Sequence, residues 1–427
     1  MPSSRESTLH FIERLRLSLD ETTAAERLTA KHDRSPLPQI RLPKQATRNS
    51  IDKAWMQIKG ATGVDEDDQA QLADPQTLDH LDAYDGNIEN MIGTVKVPVG
   101  VVGPMRVNGL HAAGDYYVPL ATTEATLVAS YGRGAHVITR VGGASAAMVS
   151  EGMIRSPGFS FASIMDAGIF AIWAVDHFDD LRAAAEATTR HGKLIEAAPQ
   201  IEGDHVYLLC RYTTGDAAGQ NMVTIATEAL CHWVCEQSPI KPAYWFVEAN
   251  FSGDKKASAL GFLNGRGRTA TATVEIDRET VRRCLQTTPE RMHDYWRMSA
   301  IGGVMSGTIG IQGHYANGLA ALFIATGQDA ACVAEAAVGV TRMELREDRL
   351  FVAVTMPNLT IGTVGGGTKL PSQSAGLRLM GLAGAGKAAA FAEVATVLCL
   401  AGEISIIAAL SAGQFTRAHQ SLARGGA

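Results

Sequence analysis

Several short stretches of this chain place reactive side chains beside small or apolar ones. ATTEAT carries Glu124. Burial there would keep the carboxyl protonated and suit it to general acid work; a first-turn glutamate favouring a helix dipole is the plain alternative. NFSGDKKAS (250–258) sets Lys255 and Lys256 beside an aspartate. A lysine held near carboxylates can stabilise charge developing on a carbonyl oxygen, and a solvated charged loop is the competing reading. ATGQDAA carries Asp329 after an apolar run, and RAH places His419 eight residues before the end. GDAAGQNM (215–222) and GTVGGGTK (362–369) are glycine-rich turns next to strand-like runs. Glycine lets backbone approach a ligand, and the free N–H groups of a helix start suit a phosphate. Neither turn has the G-x-G-x-x-G spacing of a Rossmann fingerprint. Singly, each feature is outweighed by its plain structural reading, except the three consecutive glycines, whose entropic cost favours a ligand or backbone contact.

The elements that must position these groups are legible in outline. Residues 1–75 read as helical: Leu9, Ile12, Leu15 and Leu19 recur at helical spacing, prolines follow, and a short helix fits Ile51–Ile58. VKVPVGVVGP reads as a strand and turn. The stretch beginning VPLATTEATLVAS reads as a helix started through Thr122 and Thr123, with glycines where backbones approach. From 158 the order is strand FSFASI, one long helix from DAGIFAIWAV to TTRH, a hairpin across Gly203-Asp204, the helix NMVTIATEALCHWVCEQ, and strand AYWFVEAN. That βαββαβ order is the ferredoxin-like split βαβ, inserted into a larger domain that resumes with glycine-rich helices and LFVAVTMPNLTIGTV. The fold class expected is α+β, divided as 1–75 helical, 76–157 with 247–427 large, and 158–246 small.

Composition bounds the function. Of 427 residues, 46% are hydrophobic and 19% charged, which excludes wholesale disorder. Thirty-eight basic against 44 acidic residues give a net charge of −6 and form no basic stripe, so no nucleic-acid partner is expected. No signal-peptide h-region is present, and Val394–Ala412, which holds Glu403, reads as a buried helix rather than a membrane span. Six scattered cysteines suggest reduced thiols in the cytoplasm. Cys231 and Cys235 flank His232 without a second ligand pair, so two thiols on one helix face is the reading and no metal is expected.

Taken together and in order, ENMIG, VPVGVVGP, VPLATTEATLVAS, the RSP at Arg155, GDAAGQNM, NFSGDKK with GRG after it, H-YAN, ATGQDAA, MPNLTIGTVGGGT and GEISIIAALSAG resemble the hydroxymethylglutaryl-coenzyme A reductase family from about residue 80 to 420. The DKK block resembles its class I branch. The resemblance implies a large acyl-CoA-binding domain, a ferredoxin-like small domain for a nicotinamide cofactor, and a site formed between two subunits of a homodimer or dimer of dimers.

The implied reaction is a four-electron reduction of a thioester to an alcohol by two hydride transfers, giving mevalonate. Lys255 would stabilise the oxyanion, Asp329 would hydrogen-bond within a Lys255–Glu124 network, Glu124 would supply the alcohol proton, and His419 would protonate the leaving thiolate, whose thiol has a pKa of about 8.5. Arg155, Lys256, Asn250, Asn317, Ser130 and Arg133 are the implied substrate-binding residues. Asp216, Gly219, Gln220, Asn221, Met222, Gly365 and Gly366 fall on the cofactor stretches, with Ala218 and Gln220 replacing methionines common in class I. Arg190 beside His191 favours a 2′-phosphate, hence NADPH over NADH.

Departures from the family pattern fall on the acyl and coenzyme A cradle. Glu248 stands where a serine is expected, Met298, next to Arg297, where a lysine is, and His136 where an arginine helps hold coenzyme A. A carboxylate beside a substrate carboxylate repels it. A reductase of an acyl-CoA lacking the second carboxylate, and a non-catalytic acyl-CoA-binding paralogue, are the competing functions; the four filled catalytic positions argue against the second.

Overall fold

The computed structural model describes residues 9–10, 13, 21–32, 35–37, 39–43 and 45–413. Two compact units divide the chain, Met1–Val95 and Lys96–Ala427. In the first, the expected short helix spans Arg48–Ala61, started by a capping box in which Thr47 and Ser50 satisfy each other's backbone N–H. Its buried Ile51 and Trp55 gather Ala73, Leu81 and Met91 into a small core, and Trp55 Nε1 donates to Ile92 O at 2.8 Å. Because Leu81 and Met91 belong to that core, this helical unit runs past residue 75. The Leu9–Leu19 periodicity lies largely outside the described residues.

The second unit is built on a sheet ordered β9 (Val340–Arg346), β10 (Arg349–Leu359), β8 (Gly267–Asp277), β3 (Ala144–Arg155), β1 (Val99–Gly109), β2 (Ala113–Ala121). Among the pairings between these named strands, only β1–β3 is parallel. Strand β3 then leaves this sheet: Ser145–Gly152 pair with β8, whereas Met153–Arg155 pair with β6 (His205–Thr213). The second sheet is β5 (Lys193–Glu202), β6, β4 (Gly158–Ser160), β7 (Tyr244–Phe246), antiparallel throughout. The helices Ile164–Asp176, Phe178–Glu186 and Gln220–Gln237 pack their apolar faces on it, forming a core distinct from that of the larger sheet. One long helix was expected over the first two; the chain breaks at His177, whose Nδ1 meets Trp173 O at 2.9 Å.

The helix Ala388–Ser411 is long and apolar enough to cross a membrane by composition, yet 89% of that window is buried inside the protein. Its two carboxylates explain why it is a core helix. Glu393 accepts backbone N–H bonds from His111 (2.9 Å), Ala112 (2.7 Å) and Met148 (3.1 Å), and Glu403 accepts from Gly313, His314 and the Thr341 hydroxyl. Buried charge without such donors would be prohibitively unstable. The helix Leu127–Arg140 crosses it so closely that a Cβ on Gly134 would lie 1.9 Å from Ala401 O. That helix starts at Thr126, with φ 75°, and not at Thr122 or Thr123. Thr122 Oγ1 instead accepts the N–H of Glu124, making residues 122–126 a turn.

Candidate active site

The turn after β2 presents Glu124 at a cavity of about 540 Å3, lined also by Ser130, Arg133, His314, Asn317 and Glu403. Glu124 is exposed, contrary to the burial expected from its small neighbours, because the 122–126 turn stands outside the helix it precedes. Asn317 Nδ2 donates to Glu124 Oε2 at 2.9 Å, which orients the carboxylate toward the cavity. Arg133 and Ser130 both reach helix Ala388–Ser411: Arg133 Nε and Ser130 Oγ each lie 3.0 Å from Ser405 Oγ, and Arg133 Nη2 donates to Ser405 O at 2.6 Å. Helix Leu127–Arg140 thus supplies two of the resemblance-implied residues to this wall and helix Tyr315–Thr326 a third.

Two residues of this cavity carried no assigned role in the sequence. His314 stacks on Tyr131 at 4.9 Å, its Nε2 is buried without a hydrogen bond, and burial lowers its pKa below that of a free imidazole. Glu403 anchors the backbone of His314 from below. A lone carboxylate inside the apolar run 394–412 was the available signal for Glu403; the H-YAN block held His314. Burial pushes the Glu403 carboxyl up to about 7, although the Thr341 hydroxyl and the Gly313 and His314 N–H groups pull the other way. A carboxyl raised on folding contributes stability fully below its unfolded value, near 4.5, and loses it as pH rises through about 7. The melting temperature of the wild type, measured relative to Glu403→Gln, is therefore expected to fall between pH 5 and pH 8. A pH-independent difference between the two proteins would sink this assignment.

Lys255 and Asp329 form a second constellation. Lys255 Nζ lies 2.9 Å from Asp329 Oδ2, and this hydrogen bond, aided by the Asp329 charge, raises the Lys255 pKa against partial desolvation. Partial burial pushes Asp329 up, but Lys255 and the Ala331 N–H outweigh it and hold the carboxyl below its usual range. The loop that presents the lysine is strained: Asn250 and Lys255 have φ of 64° and 58°, a region uncommon outside glycine. Lys256 is exposed and donates to Asp254 O at 2.8 Å; Asn250 is exposed at the loop's start. The expected link from Asp329 to Glu124 is not formed: among the described residues no hydrogen bond joins the two pairs, and Glu124 is held by Asn317 instead. His419 lies outside the described residues.

At the point where β3 changes sheets lies an ionic cluster around two buried arginines. Arg155 Nη1 meets Glu248 Oε2 at 3.0 Å and Asp254 Oδ2 at 3.1 Å, and Arg266 Nη2 meets Asp254 Oδ1 at 2.9 Å. Arg266, 1% exposed, also donates from Nη1 to both Glu335 oxygens and from Nη2 to Gln220 Oε1. Gln220 Nε2 in turn lies 2.8 Å from Cys332 Sγ, three residues beyond Asp329. Gln220 is therefore an internal bridge between the glycine-rich turn and the lysine constellation, and not a free ligand donor.

The two glycine-rich turns, far apart in sequence, lie together. Thr363 N donates to Asp216 O at 2.8 Å, and a Cβ on Gly362 would come within 2.5 Å of Ala218 N. Gly219, φ 81°, precedes the Gln220–Gln237 helix, and Gly365 and Gly366, also at positive φ, face open space. The Asp216 carboxylate caps helix Ala388–Ser411 by accepting from Gly386 N (2.7 Å) and Ala388 N (3.1 Å); partial burial raises its pKa, and these N–H groups more than reverse that. Asn221 is exposed, whereas Met222 packs on the small core. Arg190 is exposed in the turn before Gly192, where a Cβ would meet Met222 Cε at 2.9 Å. Cys231 is buried and Cys235 partly so on one helix, and no group that could hold a metal occurs among the described residues.

The sequence profile described as hydroxymethylglutaryl-coenzyme A reductase matches residues 51–424. The 3-hydroxy-3-methylglutaryl-coenzyme A reductase of Aeropyrum pernix is 43% identical over 355 residues, covering 82% of this chain and 84% of that protein. The Haloferax volcanii protein of the same name is 44% identical over 349 residues, covering 80% of this chain and 86% of its own. Among solved structures, the NADPH-bound class II reductase of Streptococcus pneumoniae aligns with TM-score 0.64 at 20% identity, over 86% of this chain and 98% of that one.

Proposed function

The chain belongs to the hydroxymethylglutaryl-coenzyme A reductase family, and from that membership we propose that it reduces (S)-3-hydroxy-3-methylglutaryl-CoA to mevalonate and coenzyme A with NADPH. The observation that supports the reading is the Lys255–Asp329 ion pair, with Lys255 on a strained loop: a fixed cation of the kind that stabilises charge developing on a carbonyl oxygen. NADPH, when bound, supplies the hydride for each of the two reductions.

The chain's own groups then have distinct tasks. Lys255 stabilises the oxygen that becomes negative when the thioester carbon gains a hydride, and Asp329 holds the ammonium charged and aimed. Glu124, oriented by Asn317, gives the proton that the alkoxide needs in the second reduction. His419 is proposed to protonate the departing thiolate. Ser130, Arg133 and Lys256 hold the coenzyme and acyl groups, and Arg155 and Asn250 shape the acyl end. The residues fit a dinucleotide on their own chemistry: paired glycine turns with open space at Gly365 and Gly366, the start of an 18-residue helix, and exposed Arg190 and His191 for a 2′-phosphate.

The β5-β6-β4-β7 sheet with its helices supports reading 158–246 as an inserted ferredoxin-like domain. The DKK block and the archaeal relatives support the class I branch. Exposure of Glu124, Lys255 and Asp329 supports a homodimer in which a second subunit closes the site, and exposed Met298, Ile301 and Val304 on helix Pro289–Ser306 offer apolar surface to it. We place the enzyme in the cytoplasm.

The test is to follow NADPH and NADH oxidation by the purified protein with hydroxymethylglutaryl-CoA and to identify the product. Mevalonate, formed faster with NADPH, is the expected result. Folded protein that oxidises neither nucleotide with this thioester would overturn the reading.

A further inference from the structure

The two buried cations of this cluster, Arg155 and Arg266, are already neutralised from within, while Lys256 is exposed and, among the described residues, bonded only to the Asp254 carbonyl. Arg155 has a side chain 7% exposed, and its Nη1 serves two carboxylates, those of Glu248 and Asp254. Ser252 Oγ donates to the same Glu248 oxygen at 2.8 Å, which fixes the glutamate against the arginine. Arg266 is spoken for by Asp254 and Glu335. Glu248, Asp254 and Glu335 thus outnumber Arg155 and Arg266 in one cluster. The cavity at Glu124 offers no spare charge: among its described lining residues Arg133 is the one permanent cation, bonded to Ser405, while Glu124 and Glu403 are acidic. Met298, 75% exposed, lines the recess beside it without charge.

A carboxylate on the acyl tail would have to compete with Glu248 for a nearly buried guanidinium, and the displaced glutamate would be left without its counter-ion. A tail ending in an uncharged group meets no such competitor. Resting on the reductase reading above, we propose that Glu248 determines acyl specificity: it occupies Arg155 as an internal counter-ion, so that the same site also reduces acyl-CoA thioesters whose tail is uncharged. The chemistry at the thioester is the same for either tail. One hydride forms a C–H bond at the carbonyl carbon, the C–S bond breaks and coenzyme A leaves as the thiol with a proton. A second hydride forms a second C–H bond and the alkoxide takes a proton, so two NADPH are oxidised per thioester reduced by four electrons.

The experiment compares wild type, Glu248→Ser and the near-isosteric Glu248→Gln on hydroxymethylglutaryl-CoA and on 3-hydroxy-3-methylbutyryl-CoA, which lacks only the tail carboxylate. It reads kcat and KM for each, and the Kd of each thioester by calorimetry without nucleotide. Wild type is expected to reduce the uncharged thioester. Both variants should prefer the dicarboxylic thioester more strongly than wild type by roughly 10- to 100-fold, the span of one charge-assisted contact, with the change in KM and Kd rather than kcat. Unchanged preference in the folded variants, or wild type that reduces only the dicarboxylic thioester, overturns the proposal. Absence of NADPH oxidation with either thioester would overturn the reductase reading instead, and the Kd ratios would still decide the role of Glu248.

Discussion

Replacing Lys255 by alanine is expected to lower kcat by roughly 10²- to 10³-fold, the cost of removing one preorganised oxyanion donor. The ammonium is held 2.9 Å from Asp329 Oδ2, and that bond keeps it protonated, so the donor is charged and in place before the hydride arrives. Stability should change little. The two side chains are 43% and 48% exposed, and an ion pair so placed contributes about 0–1 kcal/mol. Lys255→Gly makes the separation sharper. Its φ of 58° costs a lysine about 1–2 kcal/mol that glycine does not incur, which offsets glycine's greater chain entropy. The glycine variant should therefore unfold in urea within about 1 kcal/mol of wild type while losing turnover as alanine does. Near-wild-type kcat in a folded Lys255→Ala protein would remove Lys255 from the mechanism.

Glu124→Gln should cost on the order of 10²- to 10⁴-fold in turnover, the range for a lost general acid, and should do so at a recognisable step. The first reduction and release of coenzyme A draw on Lys255 and, as proposed, on the terminal histidine. The second reduction needs a proton on the nascent alkoxide, and the Glu124 carboxyl, held by Asn317 at 2.9 Å, is the group proposed to give it. Glutamine keeps the acceptor for Asn317 and removes the proton. In a single turnover the variant should oxidise close to one NADPH per coenzyme A released, where wild type oxidises two, and an aldehyde-trapping reagent should capture the halted product. A stoichiometry still at two would mean that the second proton comes from elsewhere.

How far the sequence carried this depends on the kind of interaction. Strands and helices with their own periodicity were readable: the hairpin across Gly203-Asp204, the Gln220–Gln237 helix and the buried Ala388–Ser411 helix all follow from local pattern. Helix ends were not. Thr122 and Thr123 look as suitable as Thr126 to begin a helix, and only the turn that closes through Thr122 Oγ1 decides between them. The same turn exposes Glu124, which its small neighbours alone suggested would be buried.

By itself the sequence determined the family, the residue types available to a reductase and the position of its departures, because ordered motifs and residue identity are one-dimensional facts. Tertiary structure alone decided which charges are free. Arg155, Arg266, Glu248, Asp254 and Glu335 are spread over almost two hundred residues, and they meet because β3 passes from one sheet into the other and carries Arg155 to Asp254 of the lysine loop. Gln220, a ligand candidate by position, is consumed between Arg266 and Cys332, and Asp216 caps a helix that begins at Ala388. Whether a cation greets a substrate or an internal carboxylate depends on angstrom-scale distances between remote segments, and in a low-dielectric interior those distances govern the electrostatics.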